Sequence, residues 1–402
     1  MKSVDFIIMK IALTCPASLP ATQFGGILFL CVDIAKELAK LGHDITIYTT
    51  DMDFANNPKT FNKKLPRYEV INNFKIVRSH VWFSIGLFFV NPGMYFQMIK
   101  DRPDVIHSIG VRSFQSHIAA LVAKKNKIPL VISDQGGLTT HPALKQSNPV
   151  RKFLYKIQQP IIQFIINNAT KVSVANEYEK KIFSKLCNES KIIIVRNGIN
   201  LDSLTTKTSN FKQKFNIDKQ FILFLGRFDK VKGIDILLKA LNLIKESSAM
   251  LNTKLVIMGA DFGFESQMLR MIDELKIKHK VIVIKNPSRD DVIAGYKESK
   301  FLVLPSRWEL SPLTPLEGFA FKKPVISTNS HGISHTIKDR VHGILVDSEN
   351  HDSLADAIVE LLSDDKKCEE FGLAGYRLIQ DECNSKIMAE NTLKIYQDIV
   401  NR

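Results

Sequence analysis

The chain is poor in the residues that staple a small fold or hold a structural metal. Its five cysteines, Cys15, Cys31, Cys187, Cys368 and Cys383, are odd in number, scattered, and form no C-x-x-C pair. That spacing suggests neither a disulfide framework nor a zinc site and fits a reducing, cytoplasmic compartment. No run of 18 or more apolar residues is present, so a spanning helix is not expected. The first residues carry Asp5 among apolar neighbours, with no small-residue cleavage site behind them, so no secretory leader is read. MKIALTCP from Met9 is the more natural chain start, and residues 1–8 are expected to add little. Neither an internal repeat nor a low-complexity tail interrupts the sequence. Acidic residues are scarce in the first half: up to Ile199, 13 Asp+Glu face 26 Lys+Arg, a balance of +13 within the formal net charge of +14. A basic half can attract nucleic acid, an anionic membrane surface or a phosphorylated substrate, although any one lysine reads equally well as solvated surface. Nucleic acid is not the expected partner, because the basic half has neither an aromatic-interleaved basic cluster nor a recognition-helix pattern.

What is present is globular: 402 residues, 45% hydrophobic and 24% charged. That length exceeds one ordinary core and implies two domains of roughly 200 residues each. After Met9 come an apolar strand (11–13), a loop with Pro16, Pro20 and Gly25-Gly26, a periodic apolar helix (27–41) closed by Gly42, and the strand ITIYT (45–49). This is the strand, glycine-bearing turn, helix, strand unit of a nucleotide-binding βαβ half. PDVIHSIG (103–110), IPLVIS (128–133), KVSVA (171–175) and KIIIV (191–195) continue the rhythm. Between 201 and 219 it lapses into polar residues, the best linker candidate. It restarts with FILFLG at Phe221 and runs through KLVIMG (254–259), VIVI (281–284), KFLVLP (300–305), KPVIST (323–328) and GILVD (343–347), ending in helices over about 353–401. Alternating β-branched strands and helices argue for an α/β fold with mostly parallel sheets buried on both faces. The expected architecture is two doubly wound, Rossmann-like domains, 1–200 and 201–402, facing a cleft, with the option that the C-terminal helix packs back on the first domain. VWFSIGLFFV (81–90), stopped by Asn91-Pro92-Gly93, reads first as a buried segment and second as an interfacial, membrane-touching patch.

Two stretches can carry chemistry. In WELSPLTPLEGFAFKKPV (308–325), Thr314 suits an N-cap, Pro315 the first helical position and Glu317 the third, a capping-box pattern that places a helix start at the carboxyl end of a buried strand. Backbone N–H groups there, at Leu313 and Thr314 because Pro312 has none, suit an anion, and Glu309 and Glu317 flank the opening. In LGRFDKVKGID (225–235), Arg227 and Lys232 sit in the loop after the first strand of the second half, a fork and a mobile point charge suited to two phosphates. DMD (51–53) has the D-x-D spacing of a divalent-ion site, but it follows the second strand of a parallel unit and reads as chance among charged turn residues.

G-R-x-x-x-x-K-G after that strand, E-x7-E over Glu309 and Glu317, and PLE-x-x-A-x-x-K-PVI together resemble the retaining glycosyltransferases of GT-B fold, glycosyltransferase family 4. GGI, LGHDITIYT, PDVIHS and RNGIN (196–200) extend the resemblance over nearly the whole chain. It implies transfer of a sugar from a nucleotide diphosphate sugar with retained configuration and no metal or other cofactor. By the resemblance, Arg227 and Lys232 hold the donor diphosphate, Glu317 the nucleotide ribose, Glu309 the donor sugar hydroxyls, Gly25 and Gly26 admit the backbone to the phosphates, and Asn197 lines the cleft. Many members carry a histidine after the fifth strand where this chain has Gln135. An amide cannot carry a proton, so Asp134, His141 and His107 are the nearby candidates for that role. A lipid-linked, glycan or other polyanionic acceptor, with an anionic membrane surface at the cytoplasmic face as a further partner, fits the basic half. The rival readings are a GT-B epimerase, a transferase acting on a soluble sugar phosphate, and a non-catalytic nucleotide-sugar-binding scaffold.

Overall fold

A computed structural model of the chain describes residues 8–53, 60–86, 88–136, 138, 140, 142, 149–205 and 210–400. They form two compact units, the first running up to Gly198 and including the stretch from Ser385 onward, the second spanning Ile199–Asn384.

In the first unit the β-branched runs become strands β1 (Lys10–Thr14), β2 (Asp44–Thr50), β3 (Tyr68–Ile71), β4 (Phe74–Ser79), β5 (Phe83–Ile85), β6 (Phe88–Val90), β7 (Val105–Ile109), β8 (Leu130–Ser133), β9 (Lys171–Val174) and β10 (Ile192–Ile194). Eight of them make one sheet in the order β10-β9-β8-β7-β1-β2-β4-β3. All its pairings are parallel except the edge pair β3–β4. That edge pair was not read from the sequence; Asn72 and Asn73, both at positive φ (47° and 66°), make its tight turn, a conformation that asparagine tolerates. Helices cover both faces, so β7 is buried at every position and β1 at all but Lys10. Ile106, Leu130, Ile132 and Val172 pack with Ile118, Ala119, Val122 and Ile165 in the core. The last helix, Ser385–Val400, lies against the first, Gly26–Lys40.

β5 and β6 form a separate antiparallel hairpin. Phe89 and Val81 are buried, but Trp82, Phe83 and Ile85 are exposed, so the stretch 81–90 is not the buried segment expected first. A hairpin outside the main sheet has only one side to bury, and Phe89, with its ring 5.4 Å from that of Phe61, takes it.

The second unit contains β11 (Gln220–Leu225), β12 (Thr253–Gly259), β13 (Val281–Lys285), β14 (Leu302–Leu304), β15 (Val325–Thr328) and β16 (Gly343–Val346). They form an all-parallel sheet ordered β13-β12-β11-β14-β15-β16. The strand order reverses between β11 and β14, paired through Leu223 and Leu302. The loops leaving these two strands are therefore neighbours at the carboxyl edge, where open α/β sheets bind ligands. The described residues of 201–219 are not a free linker: Leu204, Phe211 and Ile217, with Ile199 before them, are buried in this unit's core, and 206–209 lie outside the described residues. Their apolar side chains, five to seven residues apart, are hidden in the sequence by the polar residues between them. The chain passes between units at 198/199 and again at 384/385, so the second unit ends before the last helix. All five cysteines are free. No helix among the described residues is long and apolar enough to cross a membrane.

Candidate active site

The loop after β11 is built by its own side chains. Asp229 accepts from the Val231 N–H at 2.9 Å and starts the turn Lys230–Lys232, which Gly233 closes at φ 71°. A Cβ at Gly233 would lie 2.0 Å from the Pro305 carbonyl oxygen, so glycine is required both for the turn and for the approach of the loop after β14. Arg307 fastens the two loops together. Its backbone N–H donates to the Val231 carbonyl at 2.8 Å. Its guanidinium makes a two-pronged pair with Asp235 at 2.7 and 2.9 Å, reaches Glu349, and donates to the Lys230 carbonyl at 2.5 Å. Burial opposes the charge, but the two carboxylates hold the Arg307 pKa above the usual arginine range.

This frame brings together residues 77 positions apart: Lys232 Nζ donates to Glu309 Oε1 at 2.5 Å, and Ser306 Oγ donates to the same oxygen at 3.1 Å. The ammonium carries three donors, which leaves capacity for a second anion beside Glu309. Arg227 is exposed, with its guanidinium 4.9 Å from the centroid of the Phe262 ring, and no described carboxylate pairs with it. The Phe262 and Phe264 N–H groups both donate to the Phe228 carbonyl, at 3.0 and 3.2 Å, which fixes the stacking partner.

The helix after β14 spans Leu313–Ala320 with Pro312 at its N-cap and no side-chain cap. The expected capping box between Thr314 and Glu317 does not form. Pro312 (φ −68°) starts the helix earlier and places Glu317 on its second turn, where stronger partners take the carboxylate. Arg289 Nη2 donates to Glu317 Oε1 and Tyr296 Oη to Glu317 Oε2, each at 2.7 Å. Tyr296 is fully buried, and burial together with the Glu317 charge pushes its phenol well above the usual tyrosine range; Thr314 bonds the same phenol. Of the first four N–H groups at that helix start Pro312 and Pro315 supply none, so the two present are those of Leu313 and Thr314. Arg289 and Tyr296 were not anticipated. The S-x-x-D box that caps their helix, Ser288 with Asp291, is legible, but nothing local ties either residue to position 317.

In the first unit, Gly25 (φ 100°) is the N-cap of the helix Gly26–Lys40, and the space beside it is open. Gly26 is the first helical residue and is exposed. Gln135 and Asn197 face each other as a reciprocal amide pair: Gln135 Nε2 donates to Asn197 Oδ1 at 3.3 Å and Asn197 Nδ2 to Gln135 Oε1 at 3.2 Å. They line a shallow pocket with His107, Ser133, Ser173 and Thr392.

Neither substitute proton carrier within the described residues is presented for that task. Asp134 is buried, and its Oδ2 accepts from the Leu138 N–H at 2.8 Å, bracing the loop. His107 is buried between Tyr396 Oη at Nδ1 and Ser133 Oγ at Nε2, both at 2.6 Å. Burial pushes its pKa down to about 3, so the ring is neutral and joins β7 to the last helix. His141 lies outside the described residues. In the DMD stretch, Asp51 is spent on His80 (2.5 Å) and the Val81 N–H (3.1 Å), and Asp53 accepts from Asn62 at 2.7 Å.

Two family models divide the chain between them: Glycosyltransferase Family 4 matches residues 24–203 and Glycosyl transferases group 1 matches 205–378. The chain is a family 4 glycosyltransferase of GT-B fold. An uncharacterized glycosyltransferase of Methanocaldococcus jannaschii is 27% identical over 376 residues, 89% of this chain and 90% of that one. The capsular polysaccharide biosynthesis glycosyltransferase CapM of Staphylococcus aureus is 24% identical over 74% of this chain and 77% of its own length. Among solved structures, Anabaena HepE in complex with UDP and glucose superposes with a TM-score of 0.75 at 16% identity, covering 97% of this chain and 99% of that one. The transferase therefore has the expected fold, and Arg227, Lys232, Glu309 and Glu317 all lie in the part matched by the group 1 model.

Proposed function

We propose that this transferase moves a sugar from a nucleoside diphosphate to a lipid-linked or glycan acceptor with retained anomeric configuration and without a metal. The observation that carries the reading is the adjacency, at the switch point of the second sheet, of the loop that carries Arg227 and Lys232 and the helix start at Leu313 and Thr314. Departure of the diphosphate builds negative charge on its oxygens, and fixed donors aimed there stabilise the transition state in place of a cation. Glu309, held by Lys232, is set to accept from donor sugar hydroxyls, and Glu317, fixed by Arg289 and Tyr296, from the ribose. A carboxylate oxygen accepts more than one hydrogen bond, so these internal partners orient each group without exhausting it. The acceptor hydroxyl attacks the anomeric carbon on the face from which the diphosphate leaves. The C–O bond to the diphosphate breaks as the new glycosidic bond forms, and the acceptor's proton passes to the departing phosphate oxygen. Gln135 has no proton-carrying part in that scheme. The UDP and glucose held by the HepE neighbour and the polysaccharide role in CapM's name support a nucleotide sugar donor and a glycan-type acceptor.

The test is acceptor-dependent release of nucleoside diphosphate from a panel of donors, starting with UDP sugars, in the presence and absence of EDTA. Release unaffected by EDTA, with a product of the donor's anomeric configuration, is expected. An inverted product or activity abolished by EDTA and restored by a divalent ion would contradict the scheme.

A further inference from the structure

Four large apolar side chains stand out from 15 consecutive residues of the first unit. Trp82 is 72% exposed, Phe83 55%, Ile85 54% and Phe96 72%. The hairpin carrying the first three is locked to the body by buried Phe89, by Gln115 Nε2 donating to the Phe89 carbonyl at 2.9 Å, and by the Phe88 ring 5.7 Å from Phe114. Its exposed side chains are thus held outward on an anchored element. Phe96 lies on the helix Gly93–Asp101, which starts three residues after β6 and packs on the helix Phe114–Asn126. Lys100, Arg102, Lys124, Lys125 and Lys127 are exposed at the carboxyl ends of these two helices. Lys125 Nζ reaches Tyr95 Oη at 3.2 Å, and the Tyr95 ring is 5.4 Å from that of Phe96, so cations and apolar side chains adjoin. Of the acids there, Asp101 is taken by Tyr48 at 2.7 Å and by Gln97, and Asp104 accepts from the Lys10 N–H at 2.7 Å.

We propose that the β5–β6 hairpin and Phe96, rimmed by these cations, form a contact surface for an anionic lipid bilayer; it gives a location to the lipid-linked option for the acceptor and rests on that reading. Tryptophan and phenylalanine suit the boundary between headgroups and acyl chains, while lysine and arginine pair with anionic headgroups. A second copy of the chain fits less well, because a two-fold interface through this patch would bring the same five cations face to face.

The experiment is flotation of the full chain with phosphatidylglycerol–phosphatidylcholine vesicles and with phosphatidylcholine vesicles. The wild type floats with the anionic vesicles at low salt and is released at high salt. A Trp82→Ser, Phe83→Ser, Phe96→Ser variant binds them about tenfold or more weakly, three apolar side chains having left the boundary. Lys124→Gln with Lys125→Gln weakens binding to anionic vesicles only. Melting temperatures and nucleoside diphosphate binding in lipid-free solution stay at wild-type values. A wild type that does not float at low salt, a triple variant that floats as well as the wild type, or a wild-type dimer that the triple variant dissolves would each overturn the proposal. Donor turnover is measured without vesicles, so its failure is separate from failure of the lipid surface.

Discussion

At Glu317 two neighbours decide what the residue can do. Its carboxylate is fixed by Arg289 on one oxygen and by the buried hydroxyl of Tyr296 on the other. Tyr296→Phe leaves the Arg289 pair intact and removes one charge-assisted bond. We expect a loss of about 1–3 kcal/mol in thermal or denaturant unfolding, with a rise in donor KM larger than any fall in kcat. An unchanged KM would reduce Glu317 to a packing role. His107 gives a pH signature. Its pKa of about 3 in the folded chain, set by burial, lies below the roughly 6.5 of an unfolded histidine. The unfolded chain takes up the proton first on acidification. The contribution is intact above about pH 6.5 and is lost as pH falls toward 3, at up to about 1.4 kcal/mol per pH unit. His107→Asn is expected to be less stable at neutral pH and to lack that part of the acid slope in urea titrations; a wild-type slope would contradict the assignment. The placement of Arg227, Lys232 and Glu309 in the loops after β11 and β14 was legible in the sequence because their motifs follow strands in a fixed order. Arg289 and Tyr296 were not, since their link to position 317 crosses 28 and 21 residues and exists only after packing.

At the scale of elements, the site depends on how closely two loops approach. Gly233→Ala places a Cβ against the Pro305 carbonyl and a side chain at positive φ. A destabilisation of about 1–3 kcal/mol and a weaker nucleoside diphosphate affinity are expected together, read by thermal shift and by titration; loss of stability with unaltered affinity would show that the loops are held independently of each other. The strand and helix rhythm was readable because buried parallel strands are β-branched runs. Three features were hidden for stated reasons. Local capping preference yielded to Pro312 and to the partners of Glu317. Polar neighbours concealed Leu204, Phe211 and Ile217, which make the 201–219 stretch part of a core. The hairpin's apolar residues looked like core because sequence alone does not say which side of a strand has anything to pack against.

Across the whole molecule, the two halves differ in charge as well as in role. The first carries a balance of +13 over residues up to Ile199 and the exposed apolar hairpin; the second holds the loops proposed to bind the donor diphosphate. Domain count, fold and family were legible from length, alternation and motif order. The first crossing, at 198/199, lies two residues from the expected 200/201, and the last helix, Ser385–Val400, groups with the first unit, which the sequence offered only as an option because tertiary packing decides it. The central claim is that Arg227 and Lys232 hold the donor diphosphate. Its most direct test is calorimetric titration of the nucleoside diphosphate released from the preferred donor into the wild type and an Arg227→Ala, Lys232→Ala variant. With two charge-assisted contacts removed, affinity should fall about a hundredfold or more while the variant remains folded. A variant that binds the diphosphate as tightly as the wild type would contradict the account.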